Sequence, residues 1–246
     1  MRCIKSVLLL PLLLPSLVWA DATITPAANP PLTNLGEYRS VIEVVDEFLG
    51  GTTASGSVGG LGWNSGGTIS AGTGNLANHP GTIIVDTGAS SGTTARINCF
   101  GTGHIDYRAT TISNVWIVKL AQTDAFTLAR VGIMSSLGVS PPTEGVYFER
   151  LAADTNWFAV TMSNSTPATR ADTGIAASTN WVRFRTEGSS ASVRFYINDV
   201  LVATQTTQIP NQATLVCPGV QIINSEAASK KIEVDYFNMR VSGMAR

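Results

Sequence analysis

The segment Trp181 to Pro210, WVRFRTEGSSASVRFYINDVLVATQTTQIP, constrains the fold more than any other part of the chain. Val193, Phe195 and Ile197 alternate there with Arg194, Tyr196 and Asn198. Successive side chains of a strand point to opposite faces, so this period of two predicts a sheet with one buried face and one wet face. Asn198-Asp199 reads as the turn between two such strands, because both residues tolerate left-handed backbone angles and can bond their own backbone.

The same pattern recurs along the chain. Strands are expected at Arg39–Phe48, Gly81–Asp86, Thr94–Phe100, Ser113–Leu120, Phe126–Met134, Gly145–Leu151 and Trp157–Ser163. Five more are expected at Trp181–Thr186, Ser192–Asn198, Val200–Thr206, Thr214–Asn224 and Lys230–Val241. Gly50–Gly81 is rich in Gly, Ser and Thr and reads as short strands between tight turns. Charged residues make up only 13% of the 246, less than helix surfaces usually carry. The expected fold class is therefore all-β, an antiparallel jelly-roll β-sandwich, and one domain suffices for this length.

The first 20 residues read as a cleaved signal peptide: a basic start (Arg2, Lys5), an apolar run through Leu14, and a small residue, Ala20, before Asp21. This predicts secretion to the extracellular space. Residues 21–37 read as an exposed leader and 38–246 as the single sandwich domain. No stretch is expected to span a membrane. Removing Arg2 and Lys5 with the leader leaves 14 basic residues against 17 acidic ones, a net charge of −3. Without a basic tract, nucleic acid is not an expected partner. Cys99 and Cys217 remain after cleavage, and both a disulfide and two buried thiols are open to them.

Several short motifs suggest chemistry without completing it. Asp86-Thr-Gly88 and Asp172-Thr-Gly174 match the paired motif of aspartic proteases, where two close carboxylates share one proton. Only the first has an apolar strand leading into it, so both read as Asp-capped turns. Gly88-Ala-Ser90-Ser-Gly92 matches a nucleophile elbow by letter, but strand follows it where a helix is required. A glycosidase needs two carboxylates across a cleft; Glu43, Asp46 and Glu47 have the wrong period, and Glu233-x-Asp235 lacks a third member. Two His and two mature Cys exclude a zinc site by spacing. The catalytic residues are unknown from sequence, and no cofactor is required. Glycan binding needs aromatic faces beside planar hydrogen bonders. Trp116, Trp157 and Tyr196, with Arg130, Glu149, Arg183 and Arg185, are the candidates.

Three pieces carry a resemblance. Gly145-Val-Tyr-Phe-Glu-Arg150 followed by Trp157-Phe-Ala-Val, the Phe195-Tyr-Ile-Asn-Asp-Val200 hairpin, and the closing Lys231-Ile-Glu-Val-Asp-Tyr-Phe237 together resemble the concanavalin A-like lectin/glucanase sandwich. Asp46-Glu-Phe-Leu-Gly-Gly51, Gly60-Leu-Gly-Trp63 and His79-Pro-Gly81 further resemble bacteriophage virion and tail-fibre-associated sandwich proteins. The resemblance implies a structural calcium between early and closing strands, with Asp46 and Asp235 as its ligands. It also implies a cell-surface or extracellular glycan as partner, and a homo-oligomer or virion assembly. The expected function is a non-catalytic, structural or glycan-binding sandwich. A secreted polysaccharide hydrolase or lyase of the same fold is the alternative.

Overall fold

The computed structural model describes residues 41–49, 58–72, 79, 81–99, 105–165, 169–211 and 213–243. The expected signal peptide and leader lie outside these residues. β1 (Val41–Asp46), β2 (Asn64–Gly66), β3 (Thr68–Ala71), β4 (Ile83–Asp86) and β5 (Thr94–Asn98) precede a 3-10 turn at Tyr107–Ala109. β6 (Thr111–Leu120), β7 (Thr127–Met134), β8 (Gly145–Arg150), β9 (Asn156–Met162) and β10 (Thr169–Ala176) follow. β11 (Val182–Gly188), β12 (Val193–Ile197), β13 (Val200–Gln205), β14 (Cys217–Asn224) and β15 (Lys231–Ser242) complete the order.

These strands form two antiparallel sheets. One runs β13-β12-β11-β6-β15-β4-β3, with β1 also paired to β15; the other runs β10-β9-β8-β7-β14-β5-β2. Packed face to face, they make the expected β-sandwich. The alternation in β11 and β12 sends Val182, Phe184, Val193, Phe195 and Ile197 into the core between the sheets. The opposite sheet contributes Ala129, Val131, Ile133, Phe148, Trp157 and Ala159. Asn198 and Asp199 both have positive φ, at 49° and 66°. Such a two-residue turn matches the twist of the strands it joins.

Aromatic side chains fill the core in two groups. Trp63 lies 5.4 Å from Trp116 and meets Phe237 edge-on at 4.8 Å, with Phe48 6.0 Å away. Phe148 packs on Phe184 at 4.6 Å and edge-on to Phe195 at 5.4 Å, and Trp157 meets Phe184 edge-on at 4.7 Å.

Two expectations about the sheets need correction. β10 was not expected, because Thr169-Arg-Ala-Asp-Thr-Gly-Ile-Ala lies on an edge and is largely exposed, so it carries no apolar alternation. The reading of one wet face per sheet fits β11 and β12 but fails for β8 and β14, where every residue is buried. The outer face of the seven-stranded sheet carries a second apolar cluster, Met134, Leu137, Tyr147, Val160 and Cys217. Leu137 belongs to the β7–β8 connection, which folds back over its own sheet.

Leu137 can lie so close because Gly219 is beneath it, where a Cβ would sit 2.8 Å from Leu137 Cδ2. The pairing of β7 with β8 depends in turn on Gly132. Its φ is +154°, and a Cβ there would sit 2.5 Å from the Val146 carbonyl oxygen and 2.6 Å from the Tyr147 Cα. Both neighbours are backbone and cannot rotate away. Gly132→Ala is expected to cost about 2 kcal/mol or more. An unchanged urea midpoint would show that the β7–β8 pair can separate without strain.

Candidate functional site

Trp116 and Trp157 are not surface platforms. Both are about 1% exposed, inside the two aromatic groups of the core. Their indole N–H groups have no acceptor, so packing area is what these rings contribute. The two Asp-Thr-Gly motifs are also accounted for. Gly88 N donates to Asp86 Oδ1 at 2.7 Å, and Gly174 N donates to Asp172 Oδ1 at 2.8 Å. Both glycines have φ +70°. They are the same Asp-capped turn, placed on β4 of one sheet and on β10 of the other, so no shared proton is available to them.

Arg130 and Glu149 lie side by side on the outer face of the seven-stranded sheet. Arg130 Nε donates to Glu149 Oε1 at 3.0 Å, and Arg170 Nε donates to Oε2 at 3.1 Å. Arg170 also binds Asp154 and stacks 3.5 Å over the Phe158 ring. The β7–β8 connection closes the group from above. Arg130 Nη1 donates to the Gly138 and Ser140 carbonyls, Gln221 Nε2 to Gly138 O at 2.6 Å, and Arg96 Nη1 to Leu137 O at 2.7 Å. Both oxygens of Glu149 are therefore held by guanidinium groups, and the carboxylate is buried. With both oxygens engaged by neighbouring guanidinium groups, the carboxylate is turned toward its own sheet and away from solvent. This is a fastened lid, and Arg130 and Glu149 are its fasteners.

The outer face of the eight-stranded sheet is open. Arg183, Arg185 and Tyr196 meet here, as sequence expected, because they alternate with the core residues of β11 and β12. Arg185 and Tyr196 are directly opposite in the ladder, and the guanidinium carbon lies 3.7 Å from the ring centroid. Arg185 also binds Glu187, and Arg183 binds Asp199.

Farther along this face, His79 stacks on Trp181 with centroids 4.3 Å apart and planes 20° off parallel. Its Nδ1 is 2.8 Å from Asp235 Oδ2. Lys119 lies 5.6 Å from the Trp181 ring and 3.3 Å from Glu233. The pairing of His79 with Asp235 is a contact that sequence spacing could not show, since 156 residues separate them. Asp235 falls where β15 changes partner: β4 pairs up to Val234, β1 begins at Phe237, and the β6 register shifts between Val234 and Tyr236. The buried Asp235 carboxylate thus sits at an irregularity of the ladder.

The arrangement does not suit calcium at Asp46 and Asp235. Asp46 accepts from Phe48 N at 2.8 Å, Leu61 N at 3.1 Å and Trp63 Nε1 at 2.8 Å. N–H donors thus occupy the directions a cation would need. Among the described residues, no three His, Cys, Asp or Glu side chains converge. Asp46 is instead the anchor of the loop that places Trp63. Cys99 and Cys217 do come together, as free thiols. The hydrogen bond to Cys217, aided by burial, pushes the Cys99 thiol up and keeps it protonated.

Two measurements test these assignments. His79→Ala leaves the buried Asp235 carboxylate without its partner and is expected to cost about 1–3 kcal/mol; equal stability of the variant in urea would mean the pair holds nothing. Burial opposes ionisation of Asp86 and Asp124, yet hydrogen bonds outweigh it: Ser229 and Gly88 on Asp86, Lys230 and Thr127 on Asp124. Both carboxyls are held below their ordinary value of 3.8. Folded values lowered in this way stabilise above the unfolded value, and that contribution is lost as pH falls through the folded ones. The denaturant midpoint should hold between pH 7 and 5 and drop below 3.8. Ser229→Ala should flatten that drop, and an identical pH profile would refute the assignment to Asp86.

No family model and no curated protein sequence matches the chain. Solved structures do. A protein of unknown function from Shewanella oneidensis MR-1 superposes with a TM-score of 0.62 at 14% identity, covering 84% of this chain and 90% of that one. A glycoside hydrolase family protein from Mycobacterium thermorestibile gives 0.53 at 12% identity, covering 80% and 99%. The Emp47p carbohydrate recognition domain gives 0.53 at 8% identity, covering 83% and 98%. Lectin and hydrolase neighbours share one architecture with this chain, and that architecture is the concanavalin A-like sandwich.

Proposed function

We propose that this protein is a non-catalytic glycan-binding sandwich, exported or displayed on a virion, and that it binds through the outer face of its eight-stranded sheet. One contrast supports this reading. The outer face of the seven-stranded sheet is sealed by residues 135–143 and its glutamate is locked between two arginines. The opposite outer face leaves Tyr196, Trp181, His79 and a row of arginines half-buried and reachable. Aromatic faces beside fixed planar donors are what a sugar ring requires: its C–H face stacks and its hydroxyls accept. Structural neighbours that include a carbohydrate recognition domain fit the same reading.

The test is a glycan array with the purified protein, followed by titration of the best ligand. Arg185→Ala and Tyr196→Ala should each weaken binding at least tenfold, about 1.4 kcal/mol. Polysaccharides incubated with the protein should release neither reducing ends nor unsaturated sugars. Product release at a catalytic rate would overturn the non-catalytic part. Full affinity in both variants would move the site elsewhere.

A further inference from the structure

Among the described residues, nearly every Lys and Arg side chain has a carboxylate or a backbone carbonyl to bind. Surface pairs such as Arg108 with Asp106 and Lys231 with Asp86 do so, and the buried Arg150 and Lys230 do so as well. Two do not, Arg194 and Arg240. Both line one hollow of about 340 Å³ at the end of the eight-stranded sheet. The hollow lies on the Tyr196 side of the open face, because Arg194 is two residues from Tyr196 on β12.

The ladder shows why these two arginines are free. Arg194 is directly opposite Glu187, but Glu187 is bound by Arg185. Arg240 is directly opposite Glu43, but Glu43 Oε1 accepts from Asn238 at 2.9 Å. Each arginine faces a carboxylate that a neighbour already holds. The rest of the lining is Thr111, Ser113, Ser189, Ser192 and Ser242, with Ile112, Gly188 and the Glu187 carboxylate that Arg185 holds. Ser113 lies between the arginines, opposite both Glu187 and Arg240 in the ladder. Across the ladder from Arg194 to Arg240 lie Glu187, whose charge Arg185 offsets, and then Ser113; two planar cations flanking them present donors to an anion from two sides. The hollow has room for one sugar residue, and Tyr196 follows Arg194 by two residues on the same face of β12.

We infer that this hollow recognises the anionic group of an acidic saccharide, a uronate carboxylate or a sulfate ester. The inference rests on the glycan-binding reading and names the class of glycan. Arg194 and Arg240 clamp the anion, Ser113 and its neighbours bond the ring hydroxyls, and Tyr196 stacks on the adjoining sugar.

Isothermal titration with three oligosaccharides of equal length, polygalacturonate, a sulfated glycan and a neutral glucan, tests this. At low salt at least one acidic ligand should bind tenfold or more tighter than the neutral one. Which acidic ligand wins identifies carboxylate or sulfate as the anion. Arg194→Ala/Arg240→Ala should abolish that preference while leaving binding of the neutral ligand and the thermal midpoint unchanged. Arg194→Lys/Arg240→Lys should recover only part of it, because an ammonium lacks the planar fork. Equal binding of acidic and neutral ligands overturns the anion site and leaves the glycan-binding reading standing. Loss of all binding to all three overturns both. Polyglutamate competing as well as the acidic glycan would show a general anion patch and overturn saccharide recognition.

Discussion

The aromatic packing between the two sheets is the constraint on which the other assignments depend. Trp63, Trp116 and Phe237 form one group, and Phe148, Trp157, Phe184 and Phe195 the other. Fully buried aromatic side chains contribute on the order of 2–3 kcal/mol each, so the strands that carry them cannot reverse their faces. Once Phe184 and Phe195 point inward, Arg185, Arg194 and Tyr196 must point outward. Once Trp116 points inward, Ser113 and Lys119 are placed outside. The open surface is thus a by-product of the core, and its residues keep their positions because slipping the register would cost the whole aromatic set.

The two outer faces use their charges differently. On the seven-stranded sheet, Arg130, Glu149, Arg170 and Gln221 close on one another beneath the β7–β8 connection. Breaking such a group leaves an uncompensated buried charge, which is strongly unfavourable. The network therefore fixes the lid and gives up any role toward solvent. On the eight-stranded sheet the ion pairs are short-range and wet, worth little individually. A ligand can displace water there without first breaking a buried pair. The sandwich has spent one face on stability and left the other available.

How much of this was legible in sequence follows from the physics of each element. The hairpin of β12 and β13, with Asn198-Asp199 at its tip, was readable because alternation and turn chemistry are local signals. So was the gathering of Arg183, Arg185 and Tyr196, which alternation alone puts on one surface. β10 was not readable, because an exposed edge strand needs no apolar residues. The buried outer face of β8 and β14 was not readable either, since its cover comes from a loop whose Leu137 packs over Gly219, a contact no local pattern announces. Trp116 and Trp157 were misplaced as ligand platforms for a plain reason: a tryptophan offers the same area to a sugar and to a core, and only the strand's facing decides between them.

His79 and Asp235 show how a site can arise at a join between elements. β15 is longer than either partner on that side, so β4 and β1 share it end to end. On the other edge of β15, the pairing with β6 shifts register between Val234 and Tyr236, at the level of this join. The Asp235 carboxylate is buried at this join, and the connection leading into β4 supplies His79 to meet it. Trp181 then stacks on the imidazole from the start of β11. Three remote segments converge at this join, with no shared motif to announce them. The Glu233-x-Asp235 pattern does not work as a carboxylate pair here: Asp235 meets His79, while Glu233 stays in register with Lys119.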